Sequence, residues 1–269
     1  MQVLGLVASF FIGVSLGLTG GGGSILTVPV LVYLLHVNPL LATSYSLFIV
    51  GTTSLLGAIN NYRKKQVRIR VALLFGLSSI TTVFITRKFI LPLIPGNIVS
   101  IGNFTITHEL TTMVLFAALM VVAGNVMIRN SNDPKQRTIE RSKKNLFKLL
   151  SYGVAIGLAT GLLGAGGGFL LIPTLVILVG LPMKQAVGTS LLIIALNSLI
   201  GFTGDLGHFV IDWIFLTKIT LIAISGIFMG GLIGNNIHGE KLKKVFGWFV
   251  IFMGVFILVK ELFFMQKSL

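Results

Sequence analysis

Two glycine runs are the residues of this chain whose type and spacing best suit ion binding. The run TGGGGS covers Thr19–Ser24, the run GAGGG covers Gly164–Gly168, and each precedes a short apolar segment that contains a proline. Glycine lets the backbone leave helical geometry and lets a ligand approach the main chain. The N–H groups that open the next helix are unpaired and lie at its positive dipole end, so they can bind an anion without a charged side chain. Close helix packing is the alternative role of such small residues.

Hydroxyl and amide side chains add donors inside the apolar segments. Ser46, Thr53 and Asn60 recur every seven residues and therefore share one helix face, as do Ser190 and Asn197. These groups can donate hydrogen bonds to an oxyanion, although bonds between helices or to the preceding turn would explain them too. The predicted anion-binding residues are Gly22, Gly23, Ser24, Ser46, Thr53, Gly166, Gly167, Gly168, Ser190 and Asn197.

Charged side chains are scarce within the apolar segments. All seven acidic residues lie in loops or near segment ends, which argues against a carboxylate proton relay or a cation site inside a membrane. Arg87, Lys88 and Lys218 lie inside segments, where they either extend to lipid headgroups or form an outer funnel that attracts anions. The chain has no cysteine, its histidines lack zinc spacing, and no catalytic constellation is visible. We therefore expect no cofactor, no metal and no enzymatic activity.

The elements that must position these groups are membrane helices. Hydrophobic residues make up 54% of the chain, charged residues 10%, and the mean hydropathy is +0.97, whereas a soluble domain carries about 25% charged residues. Backbone polar groups at bilayer depth must pair within their own segment, which predicts helices. The net charge of +14 comes largely from basic residues in short loops, and this pattern indicates loops facing anionic lipid and not nucleic acid. The ten predicted segments are 2–19, 24–36, 40–61, 71–95, 110–128, 146–163, 168–180, 185–204, 211–237 and 245–264.

The chain consists of two similar halves. A shift of 144 residues places Gly13–Gly57 on Gly157–Gly201 without a gap and aligns Pro29 with Pro173. The shift also aligns Ser46 with Ser190 and Ser54 with Ser198. Apolar composition alone would align some leucines and glycines, but it would not readily align a proline and two serines. We predict an N-terminal repeat at 1–128, a basic linker at 129–145 and a C-terminal repeat at 146–269.

The segments 24–36 and 168–180 are too short to cross a bilayer as straight helices. At 1.5 Å per residue each covers about 20 Å of a hydrocarbon core of about 30 Å. Short, glycine-interrupted segments at matching positions of two halves are typical of the broken helices that form transporter binding sites. We predict half-helices here, and the sequence leaves open whether they cross the membrane fully or re-enter it.

Loop charges predict that the two halves have opposite orientations. Loops 63–70 and 129–148 are rich in Lys and Arg and should be cytoplasmic. The loop 205–212 corresponds to 61–68 in the first half, contains no Lys or Arg, and should lie outside. Five segments per half, an odd number, also require inversion. The predicted fold class is an all-α polytopic membrane protein with two inverted repeats, each containing a glycine-broken short helix.

The duplicated glycine–proline element resembles the TauE/SafE sulfite exporter family, also called the toluene sulfonate uptake permease family. The matching stretches are GLTGGGGSILTVPVL and GLLGAGGGFLLIPTL, followed by ATSYS and AVGTS. The resemblance implies transport of small sulfur- or carbon-containing anions, such as sulfite or sulfonates, in a bacterial inner membrane. Arg87–Pro95 departs from the pattern because it lacks the small residues of Gly226–Gly234. Related thiosulfate carriers use membrane cysteines, which this chain lacks.

The sequence therefore predicts a multi-pass secondary transporter of a small anion, with sulfite or an organosulfonate as substrate and alternating access as mechanism. We expect the anion near the bilayer midplane between the two glycine runs. A passive anion channel is the alternative function. The expected partners are the anion and the lipid bilayer, with no nucleic acid. The sequence leaves open the substrate, the direction, the coupling ion and the oligomeric state, for which a homodimer is one option.

Overall fold

Ten helical segments follow one another along the part of the chain that the structure describes. This structure is a computed structural model, and it describes residues 2–21, 23–94, 97–101, 104–129, 143–163, 168–208, 210–235 and 239–267. The helices are α1 (Gln2–Thr19), α2 (Ser24–Pro29), α3 (Pro39–Arg63), α4 (Ile69–Ile85), α5 (His108–Arg129), α6 (Lys143–Leu163), α7 (Gly168–Pro173), α8 (Met183–Asp205), α9 (Trp213–Asn235) and α10 (Gly239–Lys267). They confirm the ten predicted segments. Most of the predicted linker lies outside the described residues.

The surface of the helix assembly is apolar, as a bilayer requires. Among the described residues, four helical stretches are long and apolar enough to cross a membrane: Pro39–Arg63, Ile69–Leu93, Met183–Asp205 and Trp213–Gly234. Large apolar side chains such as Phe11, Leu77, Leu221 and Phe252 are exposed on the outside. The prediction of a helical, polytopic membrane protein is thus confirmed.

Helices α3 and α8 form the centre. In their apolar stretches 67% and 72% of the residues are buried, compared with 33% and 39% for the stretches in α4 and α9. Helices α3 and α8 pack on each other, while α1 packs on α9, α4 on α6, and α5 on α10. Side chains on the facing surfaces of α3 and α8 are therefore shielded from lipid.

The short helices change geometry at their prolines. Helix α2 continues after Pro29 as a π-helical turn, Val30–Leu34, and α7 continues after Pro173 as Thr174–Leu178. Each combined helix is therefore about 16 Å long at 1.5 Å per residue, roughly half of a hydrocarbon core. The predicted half-helices are present, and each ends two residues before its predicted limit.

A short β-hairpin connects α4 to α5. Helix α4 first continues through a π-helical turn, Thr86–Ile90, and a last α-helical turn, Leu91–Leu93. Strands β1 (Asn97–Ile101) and β2 (Phe104–Thr107) then pair antiparallel. The hydrophobic pattern predicts no strand here, although β-branched residues flanking a Gly-Asn dipeptide are a hairpin signal.

Equivalent residues of the two halves make equivalent contacts. Gly13 of α1 lies against the backbone of Ala223 in α9, and Gly157 of α6 lies against the backbone of Ser79 in α4. The 144-residue shift carries Gly13 to Gly157 and Ser79 to Ala223. The two interfaces are therefore built alike, with glycine in α1 and α6 allowing close backbone approach.

The turns that lead into α4 and α9 also match. The hydroxyl of Thr189 accepts a hydrogen bond from the Arg68 N–H at 3.0 Å, and the hydroxyl of Tyr45 accepts one from the Asp212 N–H at 2.8 Å. The shift carries Tyr45 to Thr189 and Arg68 to Asp212. These contacts are what a duplication of one structural unit predicts.

Candidate functional site

The two glycine runs meet at the centre of the molecule. Gly21, which follows α1, and Gly168, which opens α7, contact each other backbone to backbone. A Cβ atom added to Gly21 would lie 2.8 Å from the Gly168 carbonyl oxygen, so only glycine fits at this contact. Gly20 has a φ of +73°, a conformation that glycine adopts without strain. The chain therefore turns sharply between α1 and α2, and the turn of one half touches the other half.

The first turn uses its own donors. The Ser24 hydroxyl donates to the carbonyl oxygen of Gly21 at 2.6 Å, and the Ser24 N–H donates to the same oxygen at 3.2 Å. A side chain at Gly23 would collide with the backbone of Ile12 and Leu16 in α1. The expectation that Ser24 would present a free N–H to an anion thus differs from the structure, in which Gly23 serves helix packing and Ser24 closes the turn.

Three predicted site residues lie outside the described part of the chain. They are Gly22, Gly166 and Gly167. Their neighbours Gly21 and Gly168 are described and in contact. The prediction that these glycines present main-chain donors therefore stays a prediction.

Two of the predicted hydroxyls are engaged. Ser190 donates to the carbonyl oxygen of Gly20 at 2.8 Å, so α8 holds the first glycine turn directly, and its hydroxyl also lies 2.9 Å from the Val187 carbonyl oxygen. Thr53 donates to the Ile49 carbonyl oxygen of its own helix at 2.6 Å. The bond from Ser190 to Gly20 orients the glycine turn, and the bond from Thr53 to its own helix is the back-bonding typical of threonine in apolar helices.

Other hydroxyls in the central helices are buried and without a hydrogen-bond partner. Ser46 and Ser54 of α3 and Ser198 of α8 are each 0% exposed, and none of the three hydroxyl oxygens has a partner. The shift carries Ser54 to Ser198. A buried hydroxyl without a partner costs about 1–3 kcal/mol. Ser46 is therefore the predicted side chain that keeps a free donor for a ligand.

Asn197 joins two helices. Its amide Nδ2 donates to the Ser79 hydroxyl of α4 at 2.6 Å, while its Oδ1 is buried without a partner. Both residues are 0% exposed. The amide group thus fixes the rotation of α8 against α4, and of this pair only Asn197 is a predicted site residue.

Arg87 occupies a buried ion pair. Its guanidinium Nη1 lies 3.0 Å from Asp205 Oδ2 and 3.1 Å from the Thr43 hydroxyl, and the arginine is 0% exposed. Thr43 comes from the start of α3, Arg87 from the π-helical turn after α4, and Asp205 from the end of α8. The sequence predicts Arg87 either at the headgroups or in an open funnel, whereas the structure places it inside the protein because a carboxylate from another segment faces it.

The other two funnel candidates lie on the surface. Lys88 is exposed, and its ammonium group lies 5.4 Å from the centre of the Phe84 ring. Lys218 is also exposed and lies beside Trp213 and Leu221 in α9. The structure therefore does not bring the three basic residues together. Within the described residues, no group of three or more histidines and acidic residues could hold a metal ion.

Comparison with known proteins agrees with this helical architecture. The profile of the family described as "Sulfite exporter TauE/SafE" matches residues 5–257. The chain is 30% identical over 251 residues to a Xylella fastidiosa (strain Temecula1) protein named "Probable membrane transporter protein", covering 92% of this chain and 91% of the relative. It is 24% identical over 240 residues to "Probable membrane transporter protein YdhB" of Bacillus subtilis, covering 89% and 93%. No solved structure matches. The chain thus belongs to the TauE/SafE sulfite exporter family, whose members are membrane transporters and not enzymes.

Proposed function

We propose that this protein is a secondary transporter of a small anion, with sulfite or an organosulfonate as its substrate, and that it works by alternating access. The contact between Gly21 and Gly168 carries the proposal. It brings the irregular main chain of both halves to one point, where broken helices in secondary transporters commonly bind their substrates. Membership of the sulfite exporter family supports the substrate class.

The two repeats are inverted in this proposal. Gly51 of α3 packs on Leu199 of α8, while Gly57, further along α3, packs on Leu191, which comes earlier in α8. The two central helices therefore run in opposite directions, although the 144-residue shift relates them. Equivalent membrane helices that run antiparallel are what an inverted repeat requires, and such symmetry lets one unit open a shared site to either side.

We place the anion beside the glycine contact, on neutral donors. The free hydroxyl of Ser46 faces the protein interior, and the main chain at Gly22 and Gly166–Gly168 would add N–H donors. Charged side chains at the bilayer centre are expensive, whereas hydroxyls and helix N-termini supply donors at lower cost. Ser24, Ser190 and Asn197 position the surrounding backbone through the bonds described above.

The membrane is the bacterial inner membrane in this proposal, with loops 63–70 and 129–148 in the cytoplasm. Basic loops of this kind are retained on the cytoplasmic side. An anion leaving a cell that is negative inside would be driven by the membrane potential, which supplies about 2.3 kcal/mol per charge per 100 mV. No in-membrane carboxylate relay is then needed for export.

Flux through proteoliposomes tests the proposal against the alternative of a passive channel. We expect purified protein to transport sulfite with saturable kinetics, and sulfite inside the vesicle to accelerate uptake from outside by counterflow. Linear flux without counterflow would indicate a channel instead, and no flux of sulfite or a panel of sulfonates would contradict the substrate class.

A matched pair of serine variants then tests the site. Ser46→Ala removes the free buried hydroxyl, and Ser225→Ala removes an exposed hydroxyl that donates to its own helix at Ile222. We expect Ser46→Ala to weaken sulfite binding by about 1.5–3 kcal/mol, the contribution of a hydrogen bond to a charged group. Ser225→Ala should bind as the wild type does. Equal affinity of the two variants would show that the anion binds elsewhere.

A further inference from the structure

The Arg87–Asp205 pair has the geometry of an anion site that the protein's own carboxylate occupies. We propose that Arg87 binds a small oxyanion at the end of the transport path where α8 ends. In this proposal Asp205 is a tethered carboxylate that the anion displaces. The proposal rests on the proposed function only for the identity of the anion. It concerns a site separate from the glycine contact, formed by the start of α3, the π-helical turn after α4 and the end of α8.

The ion pair uses only one corner of the guanidinium. Nη1 contacts both Asp205 and Thr43, whereas the Nε and Nη2 atoms of Arg87 are buried and have no hydrogen-bond partner. Nε and Nη2 form the edge of the guanidinium that can bind two oxygens of one oxyanion, and such bidentate pairs are the strong ones. Buried donors left unpaired are costly. A pair that served stability alone would be expected to use this edge.

The carboxylate is incompletely paired as well. Asp205 Oδ1 is buried without a direct hydrogen-bond partner, and the buried hydroxyl of Ser44 lies close enough to this carboxylate to interact with its charge. Removing Asp205 from Arg87 would leave a pocket lined by Thr43, Ser44 and the guanidinium. The guanidinium and the Ser44 hydroxyl supply the donors, since the Thr43 hydroxyl already donates to the Leu40 carbonyl oxygen, and this set suits an anion with three oxygens such as sulfite or a sulfonate.

The pair lies close to the surface. Asp205 is the last residue of α8 and is 1% exposed, while the next residues, Leu206 and His208, are exposed. Gly204 brings the end of α8 close to the π-helical turn that carries Arg87, since a Cβ atom there would lie 3.1 Å from Arg87 Cβ. A small movement at the end of α8 would therefore open the guanidinium to solvent.

The second half of the chain does not repeat this arrangement. The 144-residue shift carries Arg87 to Gly231 and Asn61 to Asp205, and the Asn61 amide donates to Gly57 of its own helix. The contacts that build the fold, such as the Tyr45 and Thr189 bonds, recur in both halves. A charged pair found in one half only is therefore not required by the shared scaffold, and π-helical turns such as the one carrying Arg87 are frequent at functional sites.

Chemical rescue tests the proposal. In Asp205→Ala the place of the carboxylate is vacant, and we expect formate and sulfite to raise the thermal unfolding midpoint well above its value in chloride at equal ionic strength. Sulfite should bind this variant at least about tenfold more tightly than the wild type, because the internal competitor is gone. If Asp205→Ala does not fold, Asp205→Ser, which also leaves room for the anion, replaces it with the same expected result.

The double variant Arg87→Gln/Asp205→Ala is the matched control. It removes both charges together, so it avoids the penalty of one unpaired buried charge. We expect it to show no rescue by formate or sulfite, and Lys218→Gln, at an exposed lysine, to behave as the wild type. Absence of rescue in both Asp205 variants would overturn the proposal, and so would equal rescue in the double variant.

Flux separates this proposal from the proposed function. Rescue without sulfite flux in the wild type would keep the anion site and reject the transport of sulfite. Sulfite flux with no rescue would keep transport and assign the ion pair a structural role only.

Discussion

Replacing Gly21 by alanine probes the central contact between the two halves. The Cβ atom that Gly21→Ala adds would lie 2.8 Å from the carbonyl oxygen of Gly168 and 2.9 Å from its Cα atom. Ordinary contact begins at 3.4 Å, so the atoms would overlap by about 0.6 Å in a packed interior. The obstacle is backbone and cannot rotate away. Either the end of α1 or the start of α7 must therefore move.

The expected cost follows from this overlap. Overpacking a well-packed site costs about 1–3 kcal/mol, and the lower chain entropy of alanine in the unfolded state offsets about 0.4–1 kcal/mol of it. We therefore expect Gly21→Ala to lower the free energy of unfolding by about 1–2 kcal/mol. Sulfite transport should fall further than the lost stability explains, because the contact lies beside the proposed anion site.

Gly76→Ala is the matched control. Gly76 is also buried, within α4, but the nearest atom to its added Cβ would be Ile80 Cδ1 at 3.8 Å. Alanine favours a helix interior by about 1 kcal/mol over glycine, so this variant should be as stable as the wild type or more stable. Unfolding in mixed micelles with increasing SDS measures the stability of both variants. Equal stability and equal transport in the two variants would refute the contact between the glycine runs.

Three further predictions follow from the structure. Gly23→Val should yield little monodisperse protein by size-exclusion chromatography, because the new side chain collides with the α1 backbone, whereas well-folded protein with weak sulfite binding would favour a ligand role. Ser79→Ala should lower the free energy of unfolding by about 1–3 kcal/mol, because the buried Asn197 amide loses its acceptor; an unchanged SDS midpoint would contradict this. An impermeant maleimide should label His208→Cys but not Lys64→Cys in intact cells and both in permeabilised cells, and labelling of both in intact cells would contradict the inverted repeat.

The helices were predictable because the bilayer sets their boundaries. Helix α8 was predicted at 185–204 and extends over Met183–Asp205. Long apolar runs bounded by polar residues leave the backbone no alternative to a helix in lipid. The hairpin at Asn97–Thr107 was missed because short strands between membrane segments have neither length nor a strong apolar pattern.

The pairing of side chains across helices was not predictable in the same way. Arg87 and Asp205 are far apart in the sequence and belong to different halves, so their contact depends on how α4 and α8 are rotated and packed. One signal was available: an arginine inside an apolar segment needs a partner, and an acidic residue ends another segment at the same predicted side of the membrane. The hydrogen bonds of Ser24 depend on turn geometry in the same way. The chain folds back so tightly that the Gly21 carbonyl oxygen accepts hydrogen bonds from both the N–H and the hydroxyl of Ser24.

The two ends of the α3–α8 pair differ in charge although their backbones correspond. Arg87 and Asp205 lie at one end, while Asn61 and Gly231 stand at the equivalent positions of the other. If an anion can displace Asp205, the state that opens this end binds it more tightly than the state that opens the other. Such a difference changes the affinity seen from each side, but it cannot set the direction of net transport, since a ligand shifts states only by its differential affinity. Direction must therefore come from the anion gradient and the membrane potential, and the asymmetric pair adjusts the concentration range over which each side is saturated.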